Sequence, residues 1–313
     1  MRRKGAYNDN MQPNEGPSWP GHMYLIAAQS GQPGSNWYVS ENPKTKNAKS
    51  ADNCLAQAGI TVEQIDMTTP YPGTEGNPIF PCLTGTPTII DEIAKAGLTW
   101  KYYTPNLTSL WVAPCDLSEF NCPNNPNVVV PETSIFGDIS GGTLATVSWV
   151  IPSSTNSDHP SANGTSTGGP AWVSSVVDAI GQSPYWANTT IFVTWDDWGG
   201  WYDHYLFGTN GHPAKSPTDP FEYGLRVPLI AIGPYVRPGL MSHTPRDSTS
   251  ILHFVEDNFG LASLNKLDQQ TDDLSELFDF TQNPNPFNPF DAGPMTQQER
   301  RMQAPDPRPI DED

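Results

Sequence analysis

Apolar positions recur along this chain at two spacings, in separate blocks. Ile89, Ile90, Ile93 and Ala94 repeat at helical spacing, with Thr86 or Thr88 as a cap and Gly97 as a stop, and predict a helix over 87–97. Leu98 to Tyr103 then alternates like a strand. Val173, Val176, Val177 and Ile180 fall at i, i+3, i+4 and i+7 and predict a helix at about 170–181. Ile251, Phe254, Val255 and Phe259 do the same for a helix at about 247–259, and Met23 to Ala28 reads as a shorter apolar helix. Continuous apolar runs predict buried strands at Ala145–Ile151, Thr190–Trp195 and Val227–Ile232, the last closed by Gly233-Pro234. Strands that alternate with helices imply an α/β fold, a mostly parallel sheet sandwiched by helices.

Between these blocks the pattern dissolves. Residues 31–85 and 105–142 are rich in Gly, Pro, Asn, Ser and Thr and predict long loop insertions. From about residue 281 the chain is acidic and Pro-rich and reads as a loosely held tail, so one domain over 1–280 and a tail over 281–313 are expected. No internal repeat is visible.

Composition changes this picture in three ways. The 313 residues are 36% hydrophobic and 11% aromatic, enough for a sizeable core, while 33 Pro and 26 Gly mark the loops around it. The formal charge of −18 disfavours sequence-independent binding to nucleic acid. It would repel a phosphate substrate as well unless a local cation reversed the field. No run approaches the roughly 18 apolar residues of a spanning helix, and no apolar segment follows the basic start Met1-Arg2-Arg3-Lys4. Cys54, Cys82, Cys115 and Cys122 all lie in the loop-rich first half, and none forms a zinc-type pair. They are read as two disulfides, Cys54–Cys82 and Cys115–Cys122, in an oxidising compartment; four unpaired thiols in a cytosolic protein are the alternative.

The chemistry concentrates at Thr194-Trp195-Asp196-Asp197-Trp198-Gly199-Gly200-Trp201-Tyr202-Asp203-His204. Two adjacent carboxylates at the end of an apolar strand repel each other, and a hard divalent cation would hold both ionised. The strand's carboxyl end is where ligands sit in such sheets. Trp195, Trp198, Trp201 and Tyr202 are expected to wall the site, and Gly199-Gly200 to permit a tight turn over it. A bare Asp-Asp pair is more often a solvated turn; the aromatic context is what argues for the metal.

The run Ile191–His204 (IFVTWDDWGGWYDH) resembles the bacterial phosphoesterase family that holds phosphatidylcholine-type phospholipases C and a respiratory-burst-inhibiting acid phosphatase, within the alkaline-phosphatase-like superfamily. The resemblance extends over Asp9-Asn10-Met11, Tyr24-Leu25-Ile26, Ser157-Asp158-His159-Pro160, Tyr223 to Ile230, Gly233-Pro234-Tyr235, Ser242-His243-Thr244 and Ser250 to Gly260, in effect residues 6 to 290. It implies an alkaline-phosphatase-like fold and a metal-dependent phosphoester hydrolase of the phospholipase C or acid phosphatase type, acting on a phosphate ester or phospholipid. The family's nucleophile motif matches Gly16-Pro17-Ser18-Trp19-Pro20 and nominates Ser18, which would join Asp196 and Asp197 on one divalent metal ion and form a phosphoseryl intermediate. Taken alone, Ser18 would be read as a helix cap. The same resemblance nominates His159 as a contact to the transferred phosphoryl group. His204 and His243, at strand or loop ends, are further candidates for catalysis. His22, four residues after Ser18, shares its helix face. Each histidine could equally be structural; His212 reads as loop, and His253 as a helix-face residue.

The family's opening strand, which ends in a Glu-Asn-Arg-Ser-Phe-Asp block whose Glu and Asn complete the metal site, has no counterpart here. The chain is therefore expected to lack that first strand as an N-terminally truncated form, with a signal peptide lost along with it and a secreted or periplasmic location. An inactive fragment, or a non-catalytic remnant that keeps the fold and binds a metal or a partner, is the alternative. A sulfatase-like hydrolase is disfavoured, because no Cys/Ser-x-Pro-x-Arg motif occurs.

Overall fold

Local capping sets the ends of the elements that the apolar spacing predicts. A computed structural model of the protein describes residues 5–44, 51–68, 74–160, 168–205 and 221–290. The first half contains β1 (Ala6–Gln12), α1 (Ser18–Ala27), β2 (Trp37–Val39), β3 (Val62–Asp66), β4 (Thr74–Ile79), α2 (Ile89–Lys95), β5 (Trp100–Tyr103), β6 (Val128–Val129) and α3 (Ser134–Gly141). The second contains β7 (Val147–Val150), α4 (Gly169–Gly181), β8 (Ile191–Val193), β9 (Val227–Ile232), β10 (Met241–Ser242), β11 (Arg246–Asp247), α5 (Thr249–Phe259) and α6 (Lys266–Gln270). Helix α2 shows why the boundaries fall where they do. Thr88 Oγ1 accepts from Asp91 N–H at 3.2 Å while Asp91 Oδ2 accepts from Thr88 N–H at 2.9 Å, a reciprocal cap that stabilises by about 1 kcal/mol. Gly97, at φ +72°, turns the chain out of the helix.

The fold is α/β, as the sequence predicts, but its strands are shared among three sheets. β6-β5-β7 is parallel. The sheet β10-β1-β9-β8, with β11 also on β1, is mixed: β1 runs parallel to β10 and β11, and β9 runs antiparallel to both β1 and β8. The mostly parallel expectation thus holds for β5–β7 and fails at 227–232, where β9 lies antiparallel to both of its neighbours. The third sheet, β2-β3-β4, is antiparallel and lies in the 31–85 stretch read as loop. It escapes the apolar pattern because β4 is largely exposed and only Val39, Val62 and the partly buried Ile79 reach the main core. Its backbone ladder carries it. The 105–142 stretch likewise holds β6 and α3.

Both disulfides form with the expected pairing, Cys54–Cys82 and Cys115–Cys122. Residues 281–290 depart from a loose tail. The Phe287 ring packs on Trp186 at 5.0 Å, and Phe290 N–H donates to Asp178 Oδ1 at 2.8 Å on α4; residues 291–313 lie outside the described set.

Helix α1 begins five residues before the predicted start and is buried nearly all round. Trp19, Met23 and Ile26 pack with Ile89, Ile90, Ile93, Trp100 and Tyr102 in the largest core cluster. Two helices tie the parallel sheet to the mixed one. On α4, Val176 and Ile180 share a cluster with Val150 of β7 and Ile191 of β8. On α1, the Leu25 carbonyl accepts from Trp149 Nε1 of β7 at 3.3 Å, and Gly21 lies against the Asp196 backbone just past β8. Among the described residues β7 and β8 are edge strands, each paired on one side, and their apolar residues are only partly buried. No helix among the described residues is long and apolar enough to cross a membrane.

Candidate active site

Two pieces of backbone meet beyond the carboxyl end of β8. The strand delivers Asp196 and Asp197. The cis Gly16–Pro17 turn starts α1 at Ser18, which is 4% exposed. Close approach requires glycine here, because a Cβ at Gly21 would lie 3.0 Å from the Asp196 carbonyl oxygen, and one at Gly16 would meet the Trp198 ring at 3.1 Å. Ser18 Oγ donates to Asp197 Oδ2 at 3.2 Å, and Gly199 N–H donates to Asp197 Oδ1 at 2.6 Å. As the first residue of α1, Ser18 sits at the positive end of the helix dipole, which favours an alkoxide there.

The two carboxyls differ. Burial, reinforced by the neighbouring Asp196 charge, pushes the Asp197 carboxyl up to about 6. Burial acts the same way on Asp196, but His22 and Ser18 outweigh it and hold that carboxyl below its ordinary range. His22 is the buried histidine of the site. Its Nε2 lies 3.4 Å from Asp196 Oδ2, and its Nδ1 lies 3.4 Å from the Tyr102 hydroxyl, which donates to the Trp111 carbonyl at 2.7 Å. Asp196 Oδ2 is sealed from solvent, and its contact to His22 lacks the geometry of a full hydrogen bond. A sealed carboxylate oxygen with only a loose imidazole contact, next to a second carboxyl lifted by burial and like charge, is what a hard divalent cation would relieve, so Asp196, Asp197 and Ser18 fit such an ion by donor chemistry. Among the described residues no three His, Cys, Asp or Glu side chains are grouped to hold one. The donor set is therefore two carboxylates and a hydroxyl.

His159 stands at the edge of this group and acts electrostatically on Asp197. Its loop is held at several points. Asp158, at φ +61°, turns its carboxylate onto the Gly169 N–H at the start of α4; Ser157 Oγ accepts from His159 N–H at 3.1 Å; and the His159 ring lies 5.6 Å from that of Trp111. Pro160 packs on Gly199, so this loop and the tryptophan-rich loop touch. The other two nominated histidines are exposed and lie against carboxylates outside the Asp196–Asp197 pair. His243 is 74% exposed and pairs through Nδ1 with Asp9 Oδ1 at 2.8 Å. His204 is 86% exposed, with Nδ1 at 3.5 Å from Asp203. His253 packs on α5 against the Thr271 carbonyl, and His212 lies outside the described residues.

The aromatic wall is also corrected. Trp195 and Trp198 pack against the core cluster of the mixed sheet, and the Trp198 ring fills the space that Gly16 and Gly224 leave open. Trp201 and Tyr202 are 50% and 87% exposed. The left-handed Gly199 and Gly200, at φ +61° and +72°, reverse the chain between the two pairs. The far leg of the loop is pinned by residues that sequence reasoning did not single out. Arg226 holds Asp203 bidentately at 2.6 and 2.9 Å, reaches the Asp9 carbonyl at 3.2 Å, and lies 4.2 Å from the centre of the Tyr205 ring. Nothing in local spacing joins residues 9, 203 and 226; only the pairing of β1 with β9 does.

Comparison with known proteins follows the same outline. The model of the Phosphoesterase family matches residues 1–262. Phospholipase C B of Mycobacterium tuberculosis is 31% identical over 171 residues, covering 49% of this chain and 33% of that protein. Hemolytic phospholipase C of Pseudomonas aeruginosa is 32% identical over 161 residues, 46% of this chain and 22% of its own, and the non-hemolytic phospholipase C of the same organism is 25% identical over 259 residues, 70% and 37%. The chain thus spans about a third or less of the length of the first two. Among solved structures, a Vibrio parahaemolyticus protein in the alkaline phosphatase superfamily superposes with a TM-score of 0.46 at 15% identity, covering 88% of this chain and 62% of that one.

Proposed function

We propose, on the premise that this chain belongs to the Phosphoesterase family, that it hydrolyses phosphoric esters with Ser18 as nucleophile and a divalent cation at Asp196 and Asp197. The observation that carries this reading is the contact between the buried Ser18 hydroxyl and Asp197, one of two adjacent carboxyls that differ in proton affinity. When bound, the cation supplies Lewis-acid polarisation of a phosphoryl oxygen and favours the serine alkoxide. Ser18 Oγ attacks phosphorus in line, its proton having Asp197 Oδ2 as nearest acceptor, and the leaving alcohol departs from the opposite side. His159 hydrogen-bonds the transferred phosphoryl group, and water then cleaves the seryl ester, releasing phosphate from a monoester substrate or the headgroup phosphate ester, such as phosphorylcholine, from a phospholipid. His243 and His204, paired with Asp9 and Asp203 at exposed positions, have no place in this step. The names of the relatives favour a phospholipid-type ester as substrate, and the two disulfides suit a secreted or periplasmic protein.

A second reading, a non-catalytic fold that binds a metal or a partner, is favoured by one observation: no third acidic or histidine ligand joins Asp196 and Asp197 among the described residues. Titration with Mg2+, Ca2+ and Zn2+, coupled to nitrophenol release from p-nitrophenyl phosphate and p-nitrophenyl phosphorylcholine, separates the two. Cation-dependent release is expected. Cation binding without release from either ester would favour the second reading, and release that ignores both cations and chelator would remove the metal from the first.

A further inference from the structure

The loop that leaves the carboxyl pair carries two large aromatic side chains into solvent, and their setting is not that of a slack loop. Asp197 Oδ1 takes the Gly199 N–H at the near end, Trp201 N–H donates to the Trp198 carbonyl at 3.1 Å, and the Asp203–Arg226 pair clamps the far end. Trp198 is seated inside against Gly16 and Gly224, so the turn is anchored on the same glycines that bring Ser18 to the site. Between the clamps Trp201 is 50% exposed and Tyr202 87% exposed. Adjacent exposed aromatics of this size are uncommon on a soluble surface and need a partner to cover them. Trp and Tyr share a particular chemistry, an apolar ring with one polar tip, which suits the boundary between water and lipid hydrocarbon.

We infer that the Trp201–Tyr202 turn is an interfacial anchor that sets the mouth of the Ser18–Asp197 site against a zwitterionic phospholipid surface. The inference deepens, and rests on, the phosphoester-hydrolase reading, because a phospholipid headgroup must reach the nucleophile from a bilayer that the protein does not enter. Charge selects the surface. At −18 the chain is repelled by an anionic leaflet, whereas a choline-headgroup bilayer carries no net charge and leaves ring insertion as the attraction. Gly199 and Gly200, both left-handed, set the turn that separates the exposed pair from the seated Trp198.

The test uses the full chain in chelator, so that lipid is not consumed, and measures cosedimentation with sucrose-loaded phosphatidylcholine vesicles. The protein should partition onto these vesicles, and the W201A/Y202A double variant should lose about 10-fold or more in partition coefficient, the scale expected for removing two partly inserted rings. Turnover of soluble p-nitrophenyl phosphorylcholine should stay within about twofold of the unaltered chain. Equal sedimentation of variant and parent, no sedimentation of the parent, or stronger binding to phosphatidylglycerol vesicles would each overturn the anchor. Loop-dependent vesicle binding together with no hydrolysis of any ester would keep the anchor and overturn the hydrolase reading. Soluble-ester turnover without vesicle binding would do the reverse.

Discussion

Replacing Ser18 by alanine separates chemistry from structure at this site. The substitution removes one hydroxyl from a position that is 4% exposed and leaves the rest of the helix start intact, since the side chain caps no backbone group of α1. The lost hydrogen bond, 3.2 Å from an acidic oxygen, is at the long end for its kind and contributes about 1–2 kcal/mol. Asp197 is not stranded by the change, because Gly199 N–H still donates to it at 2.6 Å. Alanine returns about 0.5 kcal/mol through its higher helix propensity. The net cost is therefore about 1 kcal/mol, which in a chain of this size lowers Tm by only about 2 °C. If Ser18 is the nucleophile, kcat on p-nitrophenyl phosphorylcholine should fall by at least about 1000-fold in this nearly unperturbed fold. Calorimetry and initial rates on the same samples test both halves, with mass spectrometry of acid-quenched enzyme seeking the phosphorylcholine-seryl adduct that only the parent should form. Turnover retained within tenfold would refute the nucleophile. A Tm loss several times larger than estimated would refute the account of the packing.

Two further outcomes follow from neighbouring contacts. His22→Ala takes away the imidazole 3.4 Å from Asp196 Oδ2 and should weaken divalent-cation affinity by about 10- to 100-fold in calorimetric titration, since a group that orients a metal ligand governs affinity nearly as strongly as the ligand; unchanged affinity in a folded variant would remove His22 from that role. Glu256, 2% exposed on α5, has no hydrogen-bond partner for either oxygen, and burial together with the facing Asp268 pushes its carboxyl from 4.5 up to about 8. Because the folded value lies above the unfolded one, its contribution is complete below about pH 4.5 and is lost as pH rises through about 8. Urea unfolding should show Glu256→Gln gaining roughly 1–2 kcal/mol on the parent between pH 5 and pH 8, a figure discounted for water reaching the charged group. Parallel stability–pH profiles for the two proteins would contradict the assignment.

Most features read correctly from sequence, the Cys54–Cys82 disulfide apart, are ones that short stretches of chain determine. The α2 and α4 faces, the apolar run of β8 and the closing Gly233 depend on spacing within a dozen residues, and they survive almost unchanged. The position of Asp196 and Asp197 at a strand end is legible for the same reason. The antiparallel sheet β2–β4 was not legible, because a mostly exposed ribbon held by its backbone ladder leaves little apolar imprint. Nor could spacing choose among the histidines. His22, His159, His204 and His243 look alike along the chain, and they end respectively buried against Asp196, beside Asp197, in solvent, and paired with Asp9.

By itself, then, the sequence determined which residue types could perform phosphoryl chemistry and which local elements carry them, since both are properties of short segments. Tertiary structure alone decided which of those residues meet. Gly16 and Gly21 let α1 approach the end of β8 closely enough for Ser18 to touch Asp197, 179 residues away in sequence. The same long-range packing seated Trp198 and turned Trp201 and Tyr202 outward, because two left-handed glycines reverse the chain between them and Arg226 clamps Asp203 from another strand's end. No local pattern encodes that division, for the groups that enforce it are far apart in the chain and become neighbours only when the sheet forms.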